Sequence, residues 1–167
     1  MNPSASSASR WKVPEISALI QEEKSKNHSL PFIALTETWL KSYMSDAQIQ
    51  IPGYLVSRSD RNARVGGGVL LYSHVNLPVS ECSTFDDGTC EGLFCSFSTI
   101  KTCVAVAYRP PNSSLSSFKA LLSFFSIHLI SSLNLDPIDK IFRNFLCLII
   151  FRSPVTTCPN FVSTNSE

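Results

Sequence analysis

The sequence lacks an excess of either charge, a long hydrophobic run and any regular cysteine spacing. Its 14 Lys and Arg residues are nearly balanced by 13 Asp and Glu residues, which leaves a formal net charge of +1. Proteins that track nucleic-acid phosphates usually carry a basic excess, so the composition alone does not indicate a nucleic-acid-binding protein. A nuclease is not excluded, because metal ions can neutralise phosphate charge locally. The length of 167 residues suits one globular domain.

The cysteines do not have the spacing of a zinc site, because none of the six lies three positions from another. The first twelve residues contain no apolar stretch that could serve as a signal peptide. We therefore expect reduced thiols and an intracellular protein, with the nucleus as one candidate compartment. The longest apolar tracts, 121–130 and 145–151, are shorter than the roughly 20 residues that span a bilayer. No membrane segment is predicted.

Apolar spacing predicts the order of the main elements. Residues 1–12 have no periodicity and are expected to be flexible. A helical stripe over 13–26 is followed by an apolar run at 32–36, an arrangement typical of layered α/β proteins. Further patterns predict strands at 54–59, 69–72, 91–97 and 102–108, an edge strand at 77–79, a helix at 115–125 with Ser113 or Ser114 as its cap, and an apolar strand near 147–151.

Five short motifs occur in a specific order along the first three quarters of the chain. They are Ala-Leu-Thr-Glu-Thr-Trp-Leu at 34–40, Ile-Pro-Gly-Tyr at 51–54, Arg-Ser-Asp-Arg at 58–61, Gly-Gly-Gly-Val-Leu-Leu-Tyr at 66–72 and Tyr-Arg-Pro-Pro-Asn at 108–112. This succession resembles the endonuclease domain of LINE-type (non-LTR) retrotransposons. That domain is similar in turn to the apurinic-site endonucleases of the exonuclease–endonuclease–phosphatase superfamily.

The resemblance covers roughly residues 10–126 and implies an α/β (α+β) fold. The expected architecture is a truncated four-layer β-sandwich with flanking helices. On this basis residues 13–126 form a partial domain of the family, and residues 127–167 form a divergent carboxyl-terminal segment. The resemblance also implies magnesium as the cofactor, DNA as the partner and phosphodiester hydrolysis as the reaction. It implies neither a small-molecule cofactor nor a membrane.

Glu37 occupies the position of the family's metal-binding glutamate, at the carboxyl end of an apolar strand. Mg²⁺ favours hard oxygen ligands such as a carboxylate. A solvated carboxylate at a strand end, or an acid in the first turn of a following helix, would give the same pattern. The sequence leaves these alternatives open.

The other candidate site residues come from the same resemblance. Tyr108 matches the family tyrosine near the scissile phosphate, and Asn112 lies in the turn that the family uses beside the site; a strand-end tyrosine and a simple turn former are the alternatives. Arg58 and Arg61 could contact nucleic-acid phosphates, or they could belong to a solvated hairpin with a local ion pair.

Two family signatures are missing from these 167 residues. A Gly-Asp-X-Asn segment should follow the apolar strand near 147–151, but the chain continues as Arg152-Ser153-Pro154. A Ser-Asp-His segment does not occur either. We therefore expect a catalytically incomplete fragment of a retrotransposon-derived endonuclease. The alternatives are a non-catalytic module that binds nucleic acid or protein, and a gene-prediction remnant without a role.

Overall fold

The computed structural model describes residues 13–61 and 66–132, together with the backbone of a strand at 145–151. Within these residues, two α-helices and seven strands follow one another along the chain. They are α1 (Val13–Ser25), β1 (Phe32–Thr36), β2 (Tyr54–Ser59), β3 (Val69–His74), β4 (Glu81–Asp86), β5 (Glu91–Phe97), β6 (Thr102–Arg109), α2 (Leu115–Ser132) and β7 (Phe145–Phe151).

The strands form two sheets. The first sheet is antiparallel and has the order β1-β3-β2, while the second has the order β4-β5-β6-β7. Strands β4, β5 and β6 are antiparallel neighbours, and β7 runs parallel to β6. A parallel pair needs a crossover connection, and α2 lies between β6 and β7 in the chain.

The side chains of β3 point alternately to the two faces of the first sheet, and both faces are packed against other elements. Leu70 and Tyr72 face α1, where Ile16 and Ile20 complete a buried cluster. Val69 and Leu71 point the other way and pack against the inner face of the second sheet, because successive strand residues face opposite sides. The cluster between the sheets contains Val69, Leu71, Leu93, Cys95, Phe97, Val104, Val106 and Tyr108.

Helix α2 covers the outer face of the second sheet. Leu121 and Phe125 pack on Phe94, Ala105 and Ala107. The helix begins at Ser114, whose Oγ accepts a hydrogen bond from the Ser117 N–H at 3.0 Å, as expected for an N-cap. The described residues therefore stack as helix, sheet, sheet and helix. The predicted mixed α and β class with two facing sheets is confirmed.

Most predicted elements are confirmed, but three expectations are corrected. Residues 77–79 are not a strand; the edge strand is β4, whose residues are mostly exposed and lack an apolar alternation. The continuous apolar run at 32–36 predicts a buried strand, but strand β1 is only half-buried. A solvated hairpin was one of the two alternatives for the loop after β2, yet Arg61, its second residue, is buried.

Helix α2 is longer than predicted, because it continues past residue 125 to Ser132. It is long and apolar enough to cross a membrane by length and composition, a test that core helices also pass. The absence of a membrane segment stays a prediction. The proposed boundary at residue 126 falls within this helix, and β7 pairs with the second sheet. Two parts of the chain lie outside the described residues: 1–12 and most of 127–167. The flexibility expected of residues 1–12 therefore stays a prediction.

Candidate functional site

Glu37 directly follows β1, and hydrogen bonds from three separate parts of the chain hold its carboxylate. The indole Nε1 of Trp39 donates to Oε2 at 2.9 Å, and the N–H of Gly67 donates to the same oxygen at 3.0 Å. The hydroxyl of Tyr108 donates to Oε1. Donors on both oxygens fix the orientation of the carboxylate.

The contact between Tyr108 and Glu37 joins the two sheets. Glu37 lies at the end of β1 in the first sheet, and Tyr108 lies near the end of β6 in the second, 71 positions further along the chain. Tyr108 is buried, and its ring belongs to the hydrophobic cluster between the sheets. The chain therefore places two of the predicted site residues in direct contact at one edge of the sandwich.

The backbone around Glu37 adopts conformations that are unusual for residues with side chains. Glu37 has φ 56° and Trp39 has φ 57°, both in the left-handed region. This region costs roughly 1–2 kcal/mol for an L-residue, and such residues concentrate at functional sites. These backbone conformations let the chain fold back so that the indole N–H of Trp39 reaches the Glu37 carboxylate, while about half of the Trp39 residue stays exposed. The exposed fraction of Trp39 is 54%.

A buried ion pair lies next to these residues. Arg61 donates from Nε to Oε1 of Glu91, and from Nη2 to the carbonyl oxygen of Thr89 at 2.5 Å. Arg61 is 6% exposed and Glu91 is fully buried. The Arg61 guanidinium also lies 5.5 Å from the centre of the Tyr108 ring, and Glu91 is the direct cross-strand partner of Tyr108. Both members of the ion pair therefore lie next to Tyr108 and help to fix its position.

Burial of Glu91 has an electrostatic cost that Arg61 reduces. Desolvation raises the pKa of the Glu91 carboxyl group, whereas the hydrogen bond and the charge of Arg61 act in the opposite direction. Its Oε2 atom has no hydrogen-bond partner. The ion pair is thus a buried charge system in which each partner depends on the other.

The three glycines at 66–68 connect the ion pair to Glu37. All three have positive φ, with 74° at Gly67. A Cβ atom on Gly67 would lie 2.6 Å from Nε of Arg61 and 3.0 Å from Oε2 of Glu91. The Gly67 carbonyl meanwhile accepts a hydrogen bond from the Trp39 N–H at 2.9 Å. Close approach of the backbone explains why glycine is required at this position.

Unlike Tyr108, the predicted site residues Asn112 and Arg58 have no hydrogen bond or ion pair with Glu37 among the described residues. Asn112 lies in the exposed turn after β6, which a turn former explains without a further role. The Arg58 guanidinium donates to the carbonyl of Met44 at 2.5 Å and lies 3.1 Å from Asp46 and 3.5 Å from Asp60. These contacts give Arg58 a structural role. DNA contact by Arg58 or Arg61 stays a prediction.

Two residues of this site were not identified from the sequence. Glu91 follows a turn and resembles a surface acid in the sequence, and only its pairing with Arg61, 30 positions earlier, places it in the interior. Trp39 was part of a motif but received no role. An acid at the start of an apolar strand was the one available signal for Glu91.

Magnesium is the metal that the family resemblance implies. Mg²⁺ sites combine carboxylates with waters or substrate phosphates. Among the described residues, no three His, Cys, Asp or Glu side chains are grouped closely enough to hold a metal ion. Glu91 is the cross-strand partner of Tyr108, and its carboxylate is already paired with Arg61. The described residues therefore offer no group of three such ligands, and whether Glu37 binds magnesium stays a prediction.

No family model matches the chain, and no curated protein matches it. The chain is similar in fold to several solved structures. They include truncated Caenorhabditis elegans TDP2 (12% identity over 77% of this chain and 52% of that chain, TM-score 0.45), the human Nocturnin catalytic domain with bound sulfate anion (9%, 75%, 54%, 0.43) and D. rerio TDP2 complexed with single strand DNA product (11%, 85%, 54%, 0.43).

TDP2 and Nocturnin are members of the exonuclease–endonuclease–phosphatase superfamily. The chain spans about half the length of these structures, which is 52% of the first and 54% of the other two. With TM-scores below 0.5 and identities of 9–12%, this likeness carries no argument about the superfamily or the activity of this chain. The reaction and the retrotransposon origin therefore remain proposals.

Proposed function

We propose that this chain derives from a magnesium-dependent DNA endonuclease of the retrotransposon kind and keeps its DNA-facing edge without complete chemistry. One observation carries the proposal. The carboxylate of Glu37 and the hydroxyl of Tyr108 meet where the ends of the two sheets come together. These are the two residues that the motif order assigns to the metal and to the scissile phosphate.

The incompleteness follows from what phosphodiester hydrolysis requires. The reaction needs charge stabilisation on the phosphate, activation of water and protonation of the leaving group. Glu37 could supply one anionic oxygen, and Tyr108 could supply one hydroxyl donor. The Asp, Asn and His residues of the two missing signatures do not occur in these 167 residues. Catalytic groups that act as a unit fail together, so we expect binding without turnover.

Trp39 supports nucleic acid as the ligand of this edge. Trp39 is 54% exposed and its indole is held by the hydrogen bond to Glu37, so the ring is oriented before any ligand arrives. Bases stack on exposed aromatic rings, and each stacked base contributes about 1–3 kcal/mol. A single-stranded or locally unpaired DNA therefore fits this surface better than an intact duplex.

We predict that Trp39→Ala weakens binding of a single-stranded oligonucleotide by about 5- to 150-fold, the equivalent of one lost stacking contact. Fluorescence anisotropy at several salt concentrations measures this, and the affinity should fall as salt rises. Trp39→Phe keeps a stacking ring and loses only the N–H donor, so it should retain most of the affinity.

Ile100→Ala is a matched surface control. Ile100 is also exposed, but it lies in the turn between β5 and β6, at the end of these strands opposite Tyr108. Equal affinity of wild type and Trp39→Ala would contradict the stacking surface. A failure to bind any DNA would favour the alternative of a protein-binding module.

A further inference from the structure

Two cysteines face each other across neighbouring strands of the second sheet. Cys82 on β4 and Cys95 on β5 are direct partners in the antiparallel register. Their Sγ atoms are 3.6 Å apart, with the Cys95 thiol as donor and the Cys82 sulfur as acceptor. Both are free thiols. The sequence showed only scattered cysteines, since these two are 13 positions apart and the strand that carries Cys82 was not predicted.

Backbone geometry allows these two thiols to be joined. Directly opposed residues in an antiparallel pair have Cα atoms about 4.5–5.5 Å apart, within the range of about 4.4–6.8 Å found in disulfides. Their Cβ atoms are about 4.5–5.5 Å apart, wider than the mean of about 3.8 Å in disulfides. A bond between them would need a small approach of the strands and would be easier to reduce than a structural disulfide.

The two thiols differ in access and in acidity. Cys82 is exposed on an edge strand, whereas Cys95 is fully buried between the sheets. The hydrogen bond from Cys95 lowers the pKa of Cys82 to about 7, and the hydroxyl of Ser57 acts in the same direction. The same contact and burial raise the pKa of Cys95. Cys82 is therefore the more nucleophilic sulfur at neutral pH, and Cys95 is a protonated neighbour.

We propose that Cys82 and Cys95 form an oxidation-sensitive pair that hydrogen peroxide converts reversibly into a disulfide across β4 and β5. The proposal rests on this geometry and is independent of the proposed function.

The reaction has two balanced steps. The Cys82 thiolate attacks one peroxide oxygen and the O–O bond breaks; Cys82 becomes a sulfenic acid, and the other oxygen leaves as water with the thiol proton. The Cys95 sulfur then attacks the Cys82 sulfur. The S–O bond breaks, the S–S bond forms, and the Cys95 proton leaves with the hydroxyl group as a second water. The two thiols lose two electrons and two protons in total, and the peroxide is reduced. A dithiol reductant reverses the change.

The test is to titrate the reduced full-length chain with hydrogen peroxide, alkylate the remaining thiols and map the peptides by mass spectrometry. The expected product is a peptide that links Cys82 to Cys95, formed in preference to any other pair and lost on treatment with dithiothreitol. The same titration in urea should abolish this preference, because the strands no longer oppose the sulfurs. That comparison uses the wild-type chain alone.

Cys82→Ser should lower the yield of any disulfide that contains Cys95 by at least about ten-fold, because it removes the attacking sulfur. Cys90→Ser is the matched control: Cys90 is buried beneath α2, and its removal should leave the yield unchanged. The proposal is overturned if Cys82 proceeds to sulfinic acid while Cys95 stays alkylatable. It is also overturned if Cys95 pairs equally well with another cysteine in Cys82→Ser.

Discussion

Replacement of Arg61 by alanine is expected to lower the free energy of unfolding by about 3–5 kcal/mol, the usual cost of removing one partner from a buried ion pair. Arg61 is 6% exposed, and its partner Glu91 is fully buried. The substitution leaves the Glu91 carboxylate in the interior without a counter-charge. It also removes the hydrogen bond to the Thr89 carbonyl and the contact with the Tyr108 ring. Urea unfolding at about pH 8 measures the effect.

The loss should depend on pH in a defined direction. Burial raises the pKa of Glu91 above its ordinary value of 4.5, and Arg61 opposes that rise, so the pKa is higher still in Arg61→Ala. An acid with a raised pKa in the folded state binds protons more tightly there than in the unfolded chain. Its contribution to stability therefore increases as pH falls through the folded-state pKa towards 4.5. The difference between the variant and wild type should shrink from about pH 8 to about pH 5.5.

Two comparisons separate the charge effect from lost packing. The double substitution of Arg61→Met with Glu91→Leu removes both charges and should be less destabilising than Arg61→Ala alone. Lys26→Ala breaks an exposed ion pair with Glu22 and Glu23 and should change stability little. A loss below about 1 kcal/mol in Arg61→Ala, or a loss that grows as pH falls, would contradict a buried pair.

Gly67→Ala is expected to destabilise the fold by about 2–5 kcal/mol through two separate effects. The left-handed backbone at φ 74° costs roughly 1–2 kcal/mol for alanine. The new Cβ would also lie 2.6 Å from Nε of Arg61, and overpacking of this kind costs about 1–3 kcal/mol. Arg61 cannot move aside freely, because its guanidinium is buried and paired with Glu91. Thermal or urea unfolding of the variant measures the sum.

Gly88→Ala is the matched control for the backbone term. Gly88 has φ 80°, and nothing lies within 4 Å of a Cβ placed on it. It should show the conformational cost alone, so the difference between the two variants reports the collision beside Arg61. Gly67→Ala should also weaken binding at the Glu37 edge, since the Gly67 N–H holds Oε2 of Glu37. Equal losses in the two variants would show that the Gly67 position has room for a side chain.

The sequence predicted the elements whose signal is local. Strands β2, β5 and β6 are short apolar or alternating runs between turn residues, and α1 has a clear apolar stripe ending before Asn27, whose φ of 59° stops the helix. Strand β4 has no such signal, because most of its residues are exposed. β4 forms because its backbone pairs with the otherwise unpaired edge of β5. This pairing depends on the sheet, and the sequence of residues 81–86 does not predict it.

The site was predictable only in part, for a related physical reason. Glu37 and Tyr108 could be named from the order of the motifs, but their contact spans 71 positions and no spacing rule gives it. The burial of Glu91 depends on Arg61 and on three glycines that let the backbone approach. Both alternatives that the sequence left open for Arg61, phosphate contact and a solvated hairpin, place its side chain at the surface. The interior pairing that overrides this expectation is a tertiary effect.

The central claim is that Glu37 lies at the position of a metal-binding glutamate in a site that this polypeptide does not complete. The most direct measurement is nicking of supercoiled and abasic-site plasmid DNA with Mg²⁺, by a sequence-verified preparation and by Glu37→Gln prepared in parallel. Equal, background-level nicking by the two proteins is the predicted result. Magnesium-dependent nicking by the wild-type chain that disappears in Glu37→Gln would contradict it.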